Sequence, residues 1–388
     1  MRVLIAPDSF GSTLGPVQAA TAMGEGWRAG APHDEVELLP LSDGGPGFLD
    51  VLARALGGTT VATTVSDPLG REVPAAVLVA EREGRRTAYV EASQATGLHL
   101  LGADERDPAL TSTWGVGQLV QTALDEGAHK VVLGVGGGAT NDAGAGLLAA
   151  LGAGPASALA RGGLALGAAP PDALIGLPGL VDRLAGVDLV VATDEDTPLL
   201  GLQGTSAVEA PRKGASADQA QALEAAVGHF TDLVNRTLPS PPVDLLTGMP
   251  RRLDREIGAG AAGGLGYAVL ALGGRRVSAV EEVLRECGFG VAAARSDLVV
   301  TGAGRVDWST MQGSVVAGVA AATLETGRPT VLVAGECLVG RRETMSLGLA
   351  GTYAVADSPR DVEAMVADPV QTLAARTARV ARTWSPAR

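Results

Sequence analysis

Lysine is nearly missing from this chain: of 30 basic residues only Lys130 and Lys213 are lysines. Arginine stands wherever either cation would serve. Cysteine is scarce too, and Cys287 and Cys337 make neither a disulfide framework nor zinc-ligand spacing, which fits a reducing compartment. No apolar run approaches the twenty or so residues of a membrane span, and the opening MRVLIAPDSF breaks at Pro7 and Asp8 with no small-residue cleavage site. The chain therefore reads as cytoplasmic. Excess positive charge is also absent: the formal net charge of −13 argues against a nucleic-acid surface and against a basic membrane-docking helix. The four histidines, His33, His99, His129 and His229, are scattered, with no HxxxH pair and no Ser/His/Asp arrangement. Without GxxxxGK[ST] there is no Walker loop. Small-molecule chemistry is what these absences leave.

Glycine, by contrast, is abundant, with 54 residues, and 46% of the 388 residues are hydrophobic, ample for two or three domains with formed cores. The stretch on which the rest is organised runs from Lys130 to Gly152. Val131, Val132 and Leu133 predict a buried strand, Gly134 to Gly138 a loop almost without side chains, and Thr140 or Asn141 the cap of a helix carrying Leu147, Leu148 and Leu151. Glycines let a ligand approach the backbone, and first-turn amides have no intrahelical partner, so the expected ligand is phosphate.

Short β-branched runs alternate with Ala/Leu stretches along the chain, the pattern of parallel α/β layers. Strands are expected at Val3 to Ala6, Val36 to Leu41, Asp188 to Ala192, Asp297 to Thr301, Thr330 to Ala334 and Thr352 to Ala356. Helices are expected at Val17 to Ala29, Gly115 to Glu126 and Ala217 to Val234, the last followed by a Pro-rich loop around LPSPPV. From Val61 to Ala92 the pattern changes to hairpins broken by DPLG and EREGRR, as if something were inserted. Gly154 to Pro178 looks like a surface connection.

Asp8, Asp43, Asp194 and Asp307 each lie at or just beyond the C-terminal end of an apolar strand run, the edge where parallel sheets bind ligands. Carboxylates gathered there would repel a phosphorylated ligand unless Mg²⁺ bridges them. Lys213, in the Pro/Gly loop APRKGAS, offers a compact ammonium that could meet a transferring phosphate. A second Gly-rich run, GAGAAGGLGYA from Gly258, matches GxGxxG, but RRLDREI before it is a poor strand. A nicotinamide site would also need an acid roughly twenty positions past GVGGGA, and the next strand ends only near Asp194.

Taken together, APDSFGSTL, SDGGPG, ERDPALTSTWGVG, GVGGGATNDAGAG, DEDTPLLG, PRKGA, GAGAAGGLGYA and TGAGRVDWSTMQG resemble, in order and spacing, the bacterial type I glycerate kinases. The resemblance covers essentially the whole chain. It implies ATP-dependent phosphorylation of D-glycerate to a phosphoglycerate with Mg²⁺. It also implies a Rossmann-like (flavodoxin-like) parallel-sheet domain from both chain ends, residues 1–60 and 290–388, interrupted by a second α/β domain, residues 61–289, with the active site in the interdomain cleft. No nucleic acid or membrane is implied, and a homodimer stays open.

The chain departs from that pattern where the family has lysine after DSF (here Gly11), glutamate after DGG (Pro46), a small hydroxyl residue in the GGSATND loop (Gly138), and TGEGR…QT..GK late in the chain (Ala303, Ser309 and Ser314). Two cations and two carboxylates are lost, and losing one oriented charge is worth about 3 kcal/mol of transition-state stabilisation. A catalytically weak paralogue, or a kinase for another hydroxy acid, is the alternative. The retained polar set is Asp8, Ser9, Asp43, Asn141, Asp142, Asp194, Lys213, Arg305 and Asp307. In the expected mechanism the amides of Gly136, Gly137, Gly138 and Thr140 hold nucleotide phosphates beside Gly44 and Gly45, and the loop Gly260, Gly263, Gly264 is a second cradle. Asp194 or Asp43 binds Mg²⁺, Lys213 and Arg305 neutralise the phosphoryl charge or grip the glycerate carboxylate, and Asp8 or Asp307 orients the attacking hydroxyl.

Overall fold

A computed structural model describes residues 1–82, 84–238, 243, 248, 251–311 and 313–386 of the chain. The Pro-rich loop expected around LPSPPV falls largely outside the described residues. Eleven strands occur among them, in chain order β1 (Arg2–Ile5), β2 (Glu35–Leu38), β3 (Thr59–Ser66), β4 (Glu72–Arg82), β5 (Arg85–Glu91), β6 (Lys130–Gly134), β7 (Asp188–Ala192), β8 (Arg275–Val277), β9 (Leu298–Val306), β10 (Thr330–Cys337) and β11 (Gly351–Ala356). They form two sheets, and the chain divides into two units.

The first unit comprises Met1–Asp43, Asp50–Gly57 and Ser278–Arg388. Its sheet runs β11-β10-β9-β1-β2, all parallel. Val3, Leu4 and Ile5 are fully buried, as expected of a strand covered by helices on both faces, and this is why the run carries no polar alternation. Helix Pro16–Gly30 crosses helix Pro369–Trp384 closely because Gly26 and Gly30 have no side chain: a Cβ there would lie 2.2 Å from the Ala374 carbonyl oxygen and 2.3 Å from that of Ala378. Helix Ala279–Glu286 packs on helices Phe289–Arg295 and Val315–Thr326. The return to this unit therefore comes at Ser278, ahead of the expected residue 290.

The second unit comprises Gly44–Leu49 and Gly58–Val277. Its sheet runs β3-β4-β5-β6-β7-β8; the first three strands are antiparallel hairpins and the last four are parallel. The period change at Val61 thus marks a real change of pairing. Strand β8 has no counterpart in the sequence reading, because two of its three residues are arginines. The expected surface connection from Gly154 to Pro178 holds short helical turns at Ala156–Leu159 and Gly163–Ala168, with Leu159 and Leu166 fully buried.

Candidate active site

In the first unit, counted by its own strands, the sheet order is 2-1-3-4-5, and its topological switch point lies between β1 and β9. Asp8 follows β1 there. Its amide donates to the Gly302 carbonyl at 2.8 Å, and the Gly304 amide donates to the Ser9 carbonyl at 3.1 Å, so Asp8 and Ser9 run alongside the end of β9. The half-buried Asp8 carboxylate accepts the Ser9 amide at 2.6 Å. Burial first, and the charge of Asp43 second, push its pKa well above the usual carboxylate range, against the bonds from Ser9.

Asp307 is differently placed. It accepts the Ser309 hydroxyl at 2.6 Å and the Ser309 amide at 2.9 Å and lies 3.3 Å from Arg305 Nε. The Ser309 hydroxyl is the main cause of a pKa held below the ordinary value. Of the two acids expected to orient a hydroxyl, Asp8 is the one whose pKa is raised, and Asp307 is engaged with Arg305 and its own turn.

In the second unit β6 ends at Gly134, and the chain enters the glycine turn. Gly137 is exposed at φ +66. The amides of Gly136, Gly137 and Gly138 donate to no acceptor among the described residues, whereas Val135 donates to the Ala192 carbonyl at 3.1 Å and Ala139 to that of Thr96 at 2.7 Å. Gly44 and Gly45 lie against this turn: a Cβ on Gly136 would be 3.0 Å from the Gly45 Cα. The expected helix cap at Thr140 or Asn141 is corrected. The helix is Ala145–Ala150, capped by Gly144 in the left-handed region, so six residues offer no dipole to the turn. Bare amides alone make it anion-ready.

Between turn and helix the polar side chains are turned inward. Asn141 donates to Ser206 Oγ at 3.1 Å and accepts from Thr205 at 3.4 Å. Asp142 accepts the Thr113 amide at 2.8 Å and its hydroxyl at 2.9 Å, and the amides of Gly144 and Gly146 at 3.1 and 3.2 Å. Its carboxylate is thus spent on the fold, and burial raises its pKa despite these donors. Lys213 is 4% exposed, and its Nζ donates to the Thr140 carbonyl at 2.9 Å rather than standing at an open surface. Burial lowers its pKa, opposed by Glu195, Glu209 and Asp142.

The second glycine run crosses this segment. Ala262, Gly263 and Gly264 are successively left-handed, and Ala143, the other non-glycine residue at positive φ among those described, donates to the Gly263 carbonyl at 2.9 Å. A Cβ on Gly263 would sit 1.9 Å from the Thr140 carbonyl oxygen. The expectation of a second phosphate cradle is corrected here. The amides of Gly263 and Gly264 donate to the Gly260 carbonyl at 3.0 and 3.1 Å, Gly260 to Thr197 at 2.9 Å and Ala262 to Glu195 Oε2 at 3.1 Å, leaving none for a ligand. The residues before Gly258 form a short 3-10 turn, Leu253–Arg255, so no strand feeds the GxGxxG match.

Two acids stand outside the expected polar set. Glu91, at the end of β5, accepts from the amides of Gly47 and Leu49 at 3.2 and 3.1 Å and from Ser93 Oγ at 2.5 Å, pinning the SDGGPG loop. Glu195 follows β7 and holds Ala262. Both stand at strand ends, as the four aspartates do. Asp194, half-buried, also follows β7. Among the described residues no group of three or more His, Cys, Asp or Glu could hold a metal ion, so the acids assemble no ready-made cage.

A family model described as the glycerate kinase family matches residues 3–385. Glycerate kinase from Bacillus subtilis (strain 168) is 38% identical over 340 residues, 86% of this chain and 85% of that one. Glycerate 2-kinase from Escherichia coli (strain K12) is 34% identical over 86% of this chain and 85% of its own. The crystal structure of putative glycerate kinase 2 from Salmonella typhimurium LT2 superposes with a TM-score of 0.75 at 32% identity, covering 99% of this chain and 98% of that one. With the eight motif blocks, the parallel sheets and an open glycine turn in place, the chain belongs to the glycerate kinase family.

Proposed function

We propose that the chain transfers the γ-phosphoryl group of ATP to a hydroxyl of D-glycerate in the cytoplasm, with Mg²⁺. The observation that carries this reading is the turn at Gly136–Gly138, whose three amides have no intramolecular acceptor among the described residues and whose glycines admit an anion against the backbone. Those amides take the nucleotide phosphates, with Gly44 and Gly45 packed behind them. Asn141, Asp142, Lys213 and the left-handed run at Gly263 and Gly264 hold the turn's shape.

Asp8 accepts the proton of the attacking hydroxyl, its carboxylate shifted above the ordinary range chiefly by burial. Ser9 fixes the orientation of that carboxylate through its amide. Arg305, exposed and steadied by Asp307, presents a planar fork suited to the glycerate carboxylate. Mg²⁺ takes one or two carboxylates and completes its shell with phosphate oxygens and water, so either Asp194 or Asp43 would serve it without a cage. Bound there, it would neutralise charge on the transferring phosphoryl group. The acceptor we assign is the 2-hydroxyl, as the name of the E. coli relative suggests. The test is a coupled ADP-release assay with Mg²⁺, ATP and a panel of small hydroxy acids, the product read by phosphorus NMR. No glycerate-dependent ADP release would sink the proposal.

A specific observation favours a second reading, a kinase for another hydroxy acid or a weak paralogue. Gly11 has open space around it, and Ser314, where the family has lysine, is spent on capping helix Val315–Thr326 through the Ala317 amide at 3.2 Å and on donating to Thr310 at 2.6 Å. Turnover of another acid in the same panel, or calorimetric ATP binding without transfer to any acid, would establish it.

A further inference from the structure

Strand β11 is the outermost strand of the first sheet, and its register is taken up by β10 on one side only. Along it lies a cavity of about 400 Å³, within the range of small-metabolite sites. Its wall includes Arg341 and Thr344 from helix Arg341–Ser346, Thr352 and Tyr353 from β11, and Arg376 from helix Pro369–Trp384. The hydroxyls there are already occupied. Thr352 donates to Thr344 Oγ1 at 3.0 Å, and Tyr353 Oη accepts from Trp384 Nε1 at 2.9 Å.

The guanidinium groups are not. Arg376 lies 5.7 Å over the Tyr353 ring, and its buried Nε has no hydrogen-bond partner. Neither Arg341 nor Arg376 forms an ion pair among the described residues, and Asp357 is the one carboxylate lining the cavity. Burial, then the neighbouring Arg379, pull the Arg376 pKa below its usual value, with Asp357 opposing. A half-buried cation in excess of its counter-charge is stabilised by an anion.

We propose that this cavity binds a small anion bearing phosphate or carboxylate groups, with Arg341 and Arg376 as the contacting residues. The planar fork of arginine matches either group in a bidentate fashion, which lysine would not. The far wall connects to the proposed catalytic edge within the same unit. Cys337 lines the cavity and stands in register with Val306, and the Leu338 amide donates to the Val306 carbonyl at 2.8 Å. An occupied cavity therefore lies against the strand that carries Arg305 and leads into Asp307.

The experiment is calorimetric titration of the full chain with inorganic phosphate, and separately with malonate, in a saturating non-hydrolysable ATP analogue that fills the phosphate subsite at Gly136–Gly138. One anion is expected to bind, with R341Q and R376Q each weakening it at least fivefold and the double variant binding none. The better of the two probes identifies the anion class. Absence of heat with either probe, or unchanged binding in both variants, overturns the proposal. Should R376Q fail to fold, the exposed Arg341 carries the test alone. Because no turnover is measured, failure here leaves the kinase reading untouched, and failure of that reading leaves this one standing.

Discussion

Replacing Lys213 by methionine separates two roles for the chain's buried lysine. Methionine keeps most of the stem's volume and removes only the ammonium. The lost bond to the Thr140 carbonyl, 2.9 Å long and donated by a cation, is worth about 1.5–3 kcal/mol. Part returns, because at 4% exposure the ammonium no longer has to be kept out of water. A further part is lost as Glu195, Glu209 and Asp142 lose a nearby positive charge. The net expectation is a destabilisation of about 2 kcal/mol in urea unfolding. Thr140 lies two residues beyond the open glycine turn, so the same loosening raises KM for ATP by about tenfold per 1.4 kcal/mol transmitted, with a smaller fall in kcat. K213R gives little rescue, since the wider fork has no room at this buried position. Unchanged stability and KM, with the whole loss in kcat, would refute this account and put the ammonium on the transferring phosphoryl group.

Asp8→Asn has a defined pH signature. A raised folded pKa means that the native state binds the proton more tightly than the unfolded chain, so the wild type loses stability as pH rises from the unfolded value through the folded one. D8N is therefore more stable than wild type at neutral pH, the two converge below the ordinary carboxylate range, and the acidic limb of kcat/KM disappears with most of the activity. Gly263→Ala, with its Cβ 1.9 Å from the Thr140 oxygen and φ at +78, costs about 3 kcal/mol in thermal or urea unfolding. Ala262→Gly, which relieves a left-handed alanine, stabilises by about 0.5–1 kcal/mol in the same measurement. Asp194→Asn raises the Mg²⁺ concentration needed for half-maximal rate; an unaltered Mg²⁺ profile would remove this residue from the metal's donors.

Where burial decided an element, the sequence carried enough. The parallel strands β1, β6, β7, β9 and β10 are apolar because helices cover both faces, and their ends mark the ligand-binding edge. Where tertiary crossing decided, the sequence was silent. Nothing local in GGATNDAGAG tells that Thr140 to Ala143 is held out of the helix by Lys213, Thr113 and Gly263 from elsewhere in the chain, delaying the helix to Ala145. Likewise GAGAAGGLG looks like an anion loop, and becomes a strut because its amides find Gly260, Thr197 and Glu195 first. Departure from pattern at Arg275–Val277 hid a strand, since an edge position tolerates arginines that a central one would not.

The pairing of β1 with β9 sets Val3 against Leu298, 295 positions later. During translation the amino-terminal strand emerges with its central neighbour still uncoded for on the order of tens of seconds at ordinary elongation rates. The intervening stretch, Gly58–Val277, owns its whole six-stranded sheet and can consolidate while ribosomes are still working. Biogenesis thus runs from the middle outward, leaving an exposed apolar β1 for chaperones to shield until the carboxyl-terminal third is released.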